Sequence, residues 1–350
     1  MVARFHDIGP RRHRSLPTYT EMCERQHWVT YDISRIYICG KIRNGVYDGG
    51  LSRLLRHLAD VRGQKPVETM AINGVAWSDL RGDRSEYHTA LMSFPTIEEL
   101  FLDNVTCSHN ELVTLLSSYS HLTTVSIEGV TFDDFPIVYN RIPGRLNPSV
   151  SSLALHLDNS STSLLHLLTA QNGPFSLSSV NCLEISGSNN PIPGTKDLFA
   201  NLAPVIASPR EITFRCIAMH EELPALKMPY VSNLTFTLVL DRRRDYIHSI
   251  KWWAKTLDHP SSLWNLKIRI DSNASLSDRD HPYWTDLDNA LCMNNLSQLH
   301  VQISLGNSII QSCVLVGRAL RSRLPRATHQ YGSLGQLAWL NEEGNMLDLN

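Results

Sequence analysis

The chain has 350 residues, 42% of them hydrophobic and 19% charged, with a formal net charge of −2 and a pI of about 6.7. This composition supports a substantial apolar core and lacks the basic excess (pI above ~9) that marks nucleic-acid binders. A single compact core would be large at this length, so two domains or one elongated repeat array are the expected solutions.

The N-terminus, Met1-Val-Ala-Arg-Phe-His-Asp, has no apolar run of the secretory type, and no stretch approaches the ~18 apolar residues of a membrane helix. Arg11-Arg12-His13-Arg14 is either a nuclear localisation element or a basic cluster on a mobile terminus, the second being the commoner case. Cys23, Cys39, Cys107, Cys182, Cys216, Cys292 and Cys313 are odd in number, widely spaced and contain no CxxC pair. They read as reduced thiols, with no structural zinc. Sequons at Asn104, Asn159, Asn233, Asn273 and Asn295 are expected to go unused. A cytoplasmic or nuclear protein follows, with no membrane partner, no nucleic acid, no cofactor and no metal.

One short pattern then recurs: apolar, two others, apolar, one other, apolar. It starts at Ile33, Val67, Ile97, Leu122, Val150, Val180, Pro209 (a weaker copy), Val231, Leu263, Leu296 and, less clearly, Leu334. These starts lie 22 to 38 residues apart, a looser period than the ~20–29 residues usual for leucine-rich repeats. The period-2 alternation in each copy predicts a short strand with one buried face.

Helix-length segments fall between the copies. Gly50 to Leu58 has apolar residues three and four apart, as does Asn110 to Leu116, where Ser108 followed by Glu111 predicts a capping box. Further helices are predicted to open near Thr162, Thr195, Asp245 and Trp284. Strand-then-helix repetition favours parallel pairing with right-handed crossovers. A doubly wound sheet would have strands apolar on both faces. Here Thr, Ser, Glu, Asn and Lys occupy the alternate places, so one face is wet. The expected fold class is α/β: a leucine-rich-repeat solenoid, or horseshoe, with parallel strands on the concave face and helices on the convex face. Residues 33–345 would form about 10–11 irregular repeats, with 1–32 a poorly ordered segment or partial cap.

The stretch from Phe94-Pro-Thr-Ile-Glu-Glu-Leu-Phe-Leu-Asp-Asn-Val-Thr-Cys107 through Leu115 to Phe132 resembles the leucine-rich-repeat part of F-box proteins from mushroom-forming fungi. The tails Gly74-Val-Ala-Trp77, Asn104-Val-Thr-Cys107 and Gly129-Val-Thr-Phe132 look like that family's strand-to-turn signature. The clear resemblance covers roughly residues 30–135. It implies substrate recognition in an F-box-type (SCF) ubiquitin ligase, where an F-box recruits the Skp adaptor and the repeats hold the substrate. An F-box usually opens with Leu-Pro, and Leu16-Pro17 is present. The first repeat begins by Ile33, however, which leaves room for about one average helix of ~10–14 residues and not the several of an F-box. The Skp adaptor is therefore a partner only if an F-box lies upstream; the alternative is a structural scaffold or a truncated gene product without a ligase role.

No G-x-S-x-G elbow and no H-E-x-x-H motif occurs, so an enzyme is not expected. Gly187-Ser-Asn-Asn-Pro-Ile-Pro-Gly194-Thr-Lys196 superficially resembles a phosphate loop. Its lysine does not directly follow the second glycine, and two prolines remove backbone donors, so it reads as a strand-to-helix loop. Arg242-Arg243-Arg244 reads as a solvated turn and Trp252-Trp253 as packing. The wet strand places carry the candidate partner-binding residues Tyr37, Glu99, Phe101, Asp103, Glu128, Glu184, Arg215, Lys267 and Arg269. Acidic groups fall in repeats three to six, and basic groups in seven and nine against Glu211. A monomer holding a dipolar protein partner on its concave face is the expectation, with Tyr37 and Phe101 as aromatic anchors. The competing reading takes the same residues as solvent-tolerant sheet positions.

Overall fold

The computed structural model describes residues 2–5, 34–39, 50–60, 66–77, 84–134, 148–158, 160–170, 173–187, 195–215, 217, 223–240, 246–259, 262–272, 281–305 and 310–349. Arg11 to Arg14, Leu16-Pro17, Arg242 to Arg244 and most of the Gly187–Gly194 loop lie outside them. The chain divides into two compact units, residues 1–156 with 160–180 and residues 157–159 with 181–350.

In the first unit the order is β1 (Val2–Phe5), β2 (Arg35–Cys39), α1 (Gly50–Asp60), β3 (Thr69–Asn73), α2 (Arg84–Leu91), β4 (Glu99–Asp103), β5 (Thr106–Cys107), α3 (His109–Ser118), β6 (Thr124–Glu128), β7 (Thr131–Phe132), β8 (Ser152–Leu157) and α4 (Ser161–Thr169). A 3-10 turn, Leu177–Ser179, closes it. Strands β1, β2, β3, β4, β6 and β8 pair in that order, all parallel. Their register equates the third place of each sequence repeat, so that Arg35, Thr69, Glu99, Thr124 and Ser152 form one row. Ile36, Ile38, Met70, Ile72, Leu100, Leu102, Val125 and Ile127 are buried, and the residues between them face solvent to varying degrees. Strand β1 adds to the sheet edge ahead of the first sequence repeat.

Three tails leave this sheet by the same turn. Gly74, Asn104 and Gly129 adopt positive φ of 68°, 51° and 59°. This is the left-handed region that glycine enters freely and asparagine tolerates. The amides of Gly74 and Asn104 donate to the carbonyls of Asp103 and Glu128 in the next strand at 2.8 and 2.9 Å. Each turn drives the following valine, Val75, Val105 or Val130, into the core. A methyl group on Gly129 would stand 2.7 Å from Asn104 Oδ1, so a side chain there would displace the Asn104 amide in addition to straining the backbone. Beyond the turns, β5 and β7 form a small parallel pair. Ser108 caps α3 with the anticipated box: its hydroxyl accepts from the Glu111 amide at 3.2 Å, and Glu111 Oε2 accepts from the Ser108 amide at 2.8 Å.

In the second unit the order is β9 (Cys182–Gly187), α5 (Thr195–Ile206), β10 (Glu211–Arg215), β11 (Asn233–Leu240), α6 (Tyr246–Leu257), β12 (Asn265–Ser272), α7 (His281–Met293), β13 (Gln298–Ser304), α8 (Ile310–Arg323), α9 (Pro325–Ser333) and β14 (Leu337–Leu340). Strands β9 to β14 pair consecutively and in parallel. The weak copy at Pro209 and the unclear copy at Leu334 both supply strands. In β11 and β12 buried and half-buried residues alternate over all eight positions. Helices pack on the apolar face: Trp252 and Trp253 of α6 are each 2% exposed and meet Phe214 and Phe236. Both units are parallel sheets with helices over one face, the α/β leucine-rich-repeat arrangement.

Candidate functional site

Each sheet leaves its other face to solvent, and the register sets the side chains of that face in rows. In the first unit the central row runs Tyr37, Ala71, Phe101, Ser126 and Ala154. Small residues flank Phe101, which is 38% exposed, far above the buried residues that precede and follow it on β4. The acidic candidates are held by neighbours. Glu99 Oε2 accepts from Thr69 Oγ at 3.0 Å. Asp103 accepts from Asn104 Nδ2 at 2.7 Å and from Asn73 Nδ2. Glu128 lies 3.9 Å from His156 Nδ1. These contacts orient the carboxylates without removing them from solvent, and each exposed pair contributes little to stability.

In the second unit the row nearest the strand starts is a hydrogen-bond ladder. Cys182 Sγ donates to Glu211 Oε2 at 3.5 Å, Asn233 Nδ2 to Glu211 Oε1 at 3.0 Å, and Asn265 Nδ2 to Asn233 Oδ1 at 2.8 Å. Ser297 Oγ continues it to Asn265 Oδ1 at 3.2 Å. Burial, then the Glu211 charge, pushes the Cys182 thiol up from its ordinary range. Glu184 and Arg215 pair across β9 and β10 at 3.0 Å. The two charges at which the sequence changes sign from acidic to basic therefore neutralise each other.

Lys267 and Arg269, two residues apart on β12, remain as the cationic centre. Burial, then repulsion from Arg269, lowers the Lys267 ammonium below its usual value. Burial, then the Lys267 charge, lowers the neighbouring His300 imidazole. In both groups burial is the first cause of the shift and like-charge repulsion the second. Beside this cationic centre lies a cleft of about 290 Å³ lined by Arg215, Thr237, Arg269, Asp271, Gln302, Ser304 and Glu342. Arg269 Nε is buried and has no hydrogen-bond partner. Gln302 Nε2 donates to the backbone carbonyls of Asn341 and Glu342 at 3.2 and 2.9 Å, which fixes the turn that carries Glu342. Burial raises the Asp271 carboxyl above its usual range; Arg269 opposes that shift and Glu342 adds to it.

The structure thus places Lys267 and Arg269 together, beside Arg215 paired to Glu184. It sets Glu99, Phe101 and Asp103 on one strand, with Tyr37 in the row of Phe101 and Glu128 in the row of Asp103. Asp271, Ser304 and Glu342 were not among the sequence candidates. Asp271 had a legible signal, since the alternation of Ile268, Ile270 and their neighbours runs on past the usual strand length. Glu342 had none, because a turn after β14 brings it to the cleft.

A second cavity of about 340 Å³ in the same unit is mainly apolar, with Met228, Pro229, Val231, Leu257 and Leu263 in its wall. Tyr230 and Trp264, 66% and 61% exposed, stand close by in sequence. Among the described residues no cluster of three or more His, Cys, Asp or Glu could hold a metal ion, and no helix is long and apolar enough to cross a membrane.

No family model matches the chain, and no curated protein matches it significantly. The crystal structure of the leucine-rich repeat-containing protein LegL7 from Legionella pneumophila is similar to it, at 15% sequence identity and a TM-score of 0.46, covering 99% of this chain and 93% of that one.

Proposed function

We propose that this chain is a protein-binding module that holds its partner on the solvent-facing strand positions of its parallel sheets. One observation supports this most directly. In both units the helices cover the apolar sheet face, while the opposite face presents side chains in registered rows that include an exposed aromatic and unburied charges. Regular rows on a rigid sheet are a preorganised surface, which reduces the entropy lost on association.

Within this reading the partner is a substrate of an F-box-type ubiquitin ligase. That refinement rests on the resemblance carried by residues 94–132, and it requires an F-box to precede the repeats. Recovery of the Skp adaptor with the full-length locus product supports it, and failure to recover the adaptor ends it.

Reversing Glu99, Asp103 and Glu128 to lysine together is expected to reduce affinity capture of the cellular partner at least ~10-fold, about 1.4 kcal/mol. Reversing exposed charges on the helix side, such as Glu86 and Lys255, is expected to leave capture unchanged. Equal capture by the strand-face variant, with its circular dichroism and melting temperature retained, would remove the proposal for the first unit.

A further inference from the structure

The cleft at the far ends of β11, β12 and β13 carries both signs of charge without internal pairing. Arg269 and Asp271 occupy alternate positions on the same face of β12, with Thr237 and Gln302 registered beside Arg269 and Ser304 beside Asp271. Among the described residues neither the Arg269 guanidinium nor the Asp271 carboxylate makes a hydrogen bond or an ion pair, although the two influence each other electrostatically. A guanidinium offers five donors in a fixed fork, and one of those donors, Nε, is buried here without an acceptor.

We infer that this cleft recognises an extended peptide segment carrying an acidic and a basic residue two positions apart, the carboxylate on Arg269 and the cation between Asp271 and Glu342. The inference rests on the reading of the chain as a protein-binding module and names the class of partner its second unit takes. Alternate residues of a strand are about 6.5–7 Å apart, and the same repeat governs an extended ligand laid along β12. The ligand's alternate side chains then meet alternate rows of the cleft. A free α-amino acid carries its ammonium and carboxylate on one carbon and cannot span two such rows. A purely acidic ligand would meet repulsion from Asp271 and Glu342, and a purely basic one from Arg269 and Lys267. The cleft volume of about 290 Å³ accommodates a pair of side chains and not a folded element.

The test is selection of a displayed random heptapeptide library on the immobilised full chain, repeated on the exchange variant R269E/D271K and on the milder R269Q and D271N. The wild-type chain is expected to enrich Asp or Glu spaced by one residue from Lys or Arg, with one order of the two charges predominating. Binding of the enriched peptides should fall at least ~10-fold with R269Q, about 1.4 kcal/mol. The exchange variant should recover binding when the two charges of the peptide are swapped in position. If R269E/D271K does not fold, as judged by circular dichroism, the two milder variants decide the matter. Binders that show no charge pair, or whose binding is unaffected by R269Q and D271N, overturn the inference while leaving the binding module intact. A chain that enriches no peptide at all counts against both.

Discussion

Replacing Trp253 by alanine is expected to lower the stability of the second unit by about 3–5 kcal/mol, in the range for removing a buried tryptophan. Its indole stacks on Phe236 with centroids 4.1 Å apart and planes 13° from parallel. It also meets Phe214 edge-on at 5.2 Å and Trp252 at 4.6 Å. Phe214 and Phe236 lie on adjacent strands, β10 and β11, so one side chain of α6 fastens two consecutive repeats. Stability in stacked repeats is largely a sum of such neighbour interfaces, so the loss should reach both of them. Aromatic pairs contribute roughly 0.5–1.5 kcal/mol beyond area burial, and Trp253→Phe, which keeps part of the stack, should cost less than half as much. Urea denaturation followed by fluorescence measures both. A loss below about 1 kcal/mol for Trp253→Ala would mean that the aromatic cluster does not couple these repeats.

The second large effect concerns one carboxylate at a helix start. Helix α9 opens with Pro325, which has no amide proton, after Leu324, whose side chain cannot cap. The next two amides, those of Arg326 and Ala327, point at Asp288 of α7 and donate to Oδ2 at 3.0 Å and Oδ1 at 2.8 Å. Asp288 is 2% exposed and Ala327 fully buried, so water does not replace these bonds. Asp288→Ala removes the acceptor of one buried and one part-buried amide and is expected to cost roughly 2–4 kcal/mol. Asp288→Asn, which keeps a single carbonyl acceptor, should lose about half of that. Tyr331, further along α9, donates its hydroxyl to the Leu291 carbonyl at 2.8 Å and lies against the Asn294 carbonyl. The helix is therefore tethered at both ends. Hydrogen exchange should show α9 opening first in the Asp288 variant, and unchanged protection there would contradict the capping role.

Much of this architecture can be read from the chain because its rules are local. The apolar places of each repeat alternate, so strands β2, β3, β4, β6 and β8 to β13 begin at the third place of their repeats, and within each unit they pair in that register. Ser108 and Glu111 cap α3 through contacts only three residues apart. The predicted openings near Thr162, Thr195, Asp245 and Trp284 fall within or beside α4, α5, α6 and α7. What stayed hidden depends on contacts distant in sequence. Strands β5 and β7 are two residues each, too short to show any period. The cap on α9 comes from Asp288 of α7, two helices earlier in the chain. Helix α2 carries no clear apolar stripe in RSEYHTAL. The nine candidate site residues could be placed on the wet face by alternation alone. That Glu184 and Arg215 cancel, and that Arg269 stands beside Asp271 and Glu342, required the register and the final turn.

The proposed partner contact lies on the solvent-facing strand positions and not on the helices. The direct measurement is photo-crosslinking from a benzophenone side chain placed singly at Phe101, Ser126, Thr235 and Gln298 on the strand faces, and at Arg56, Lys255 and Arg318 on the helices. Adducts with a common partner are expected from the strand positions and none from the helices. Adducts confined to the helix positions would contradict that placement.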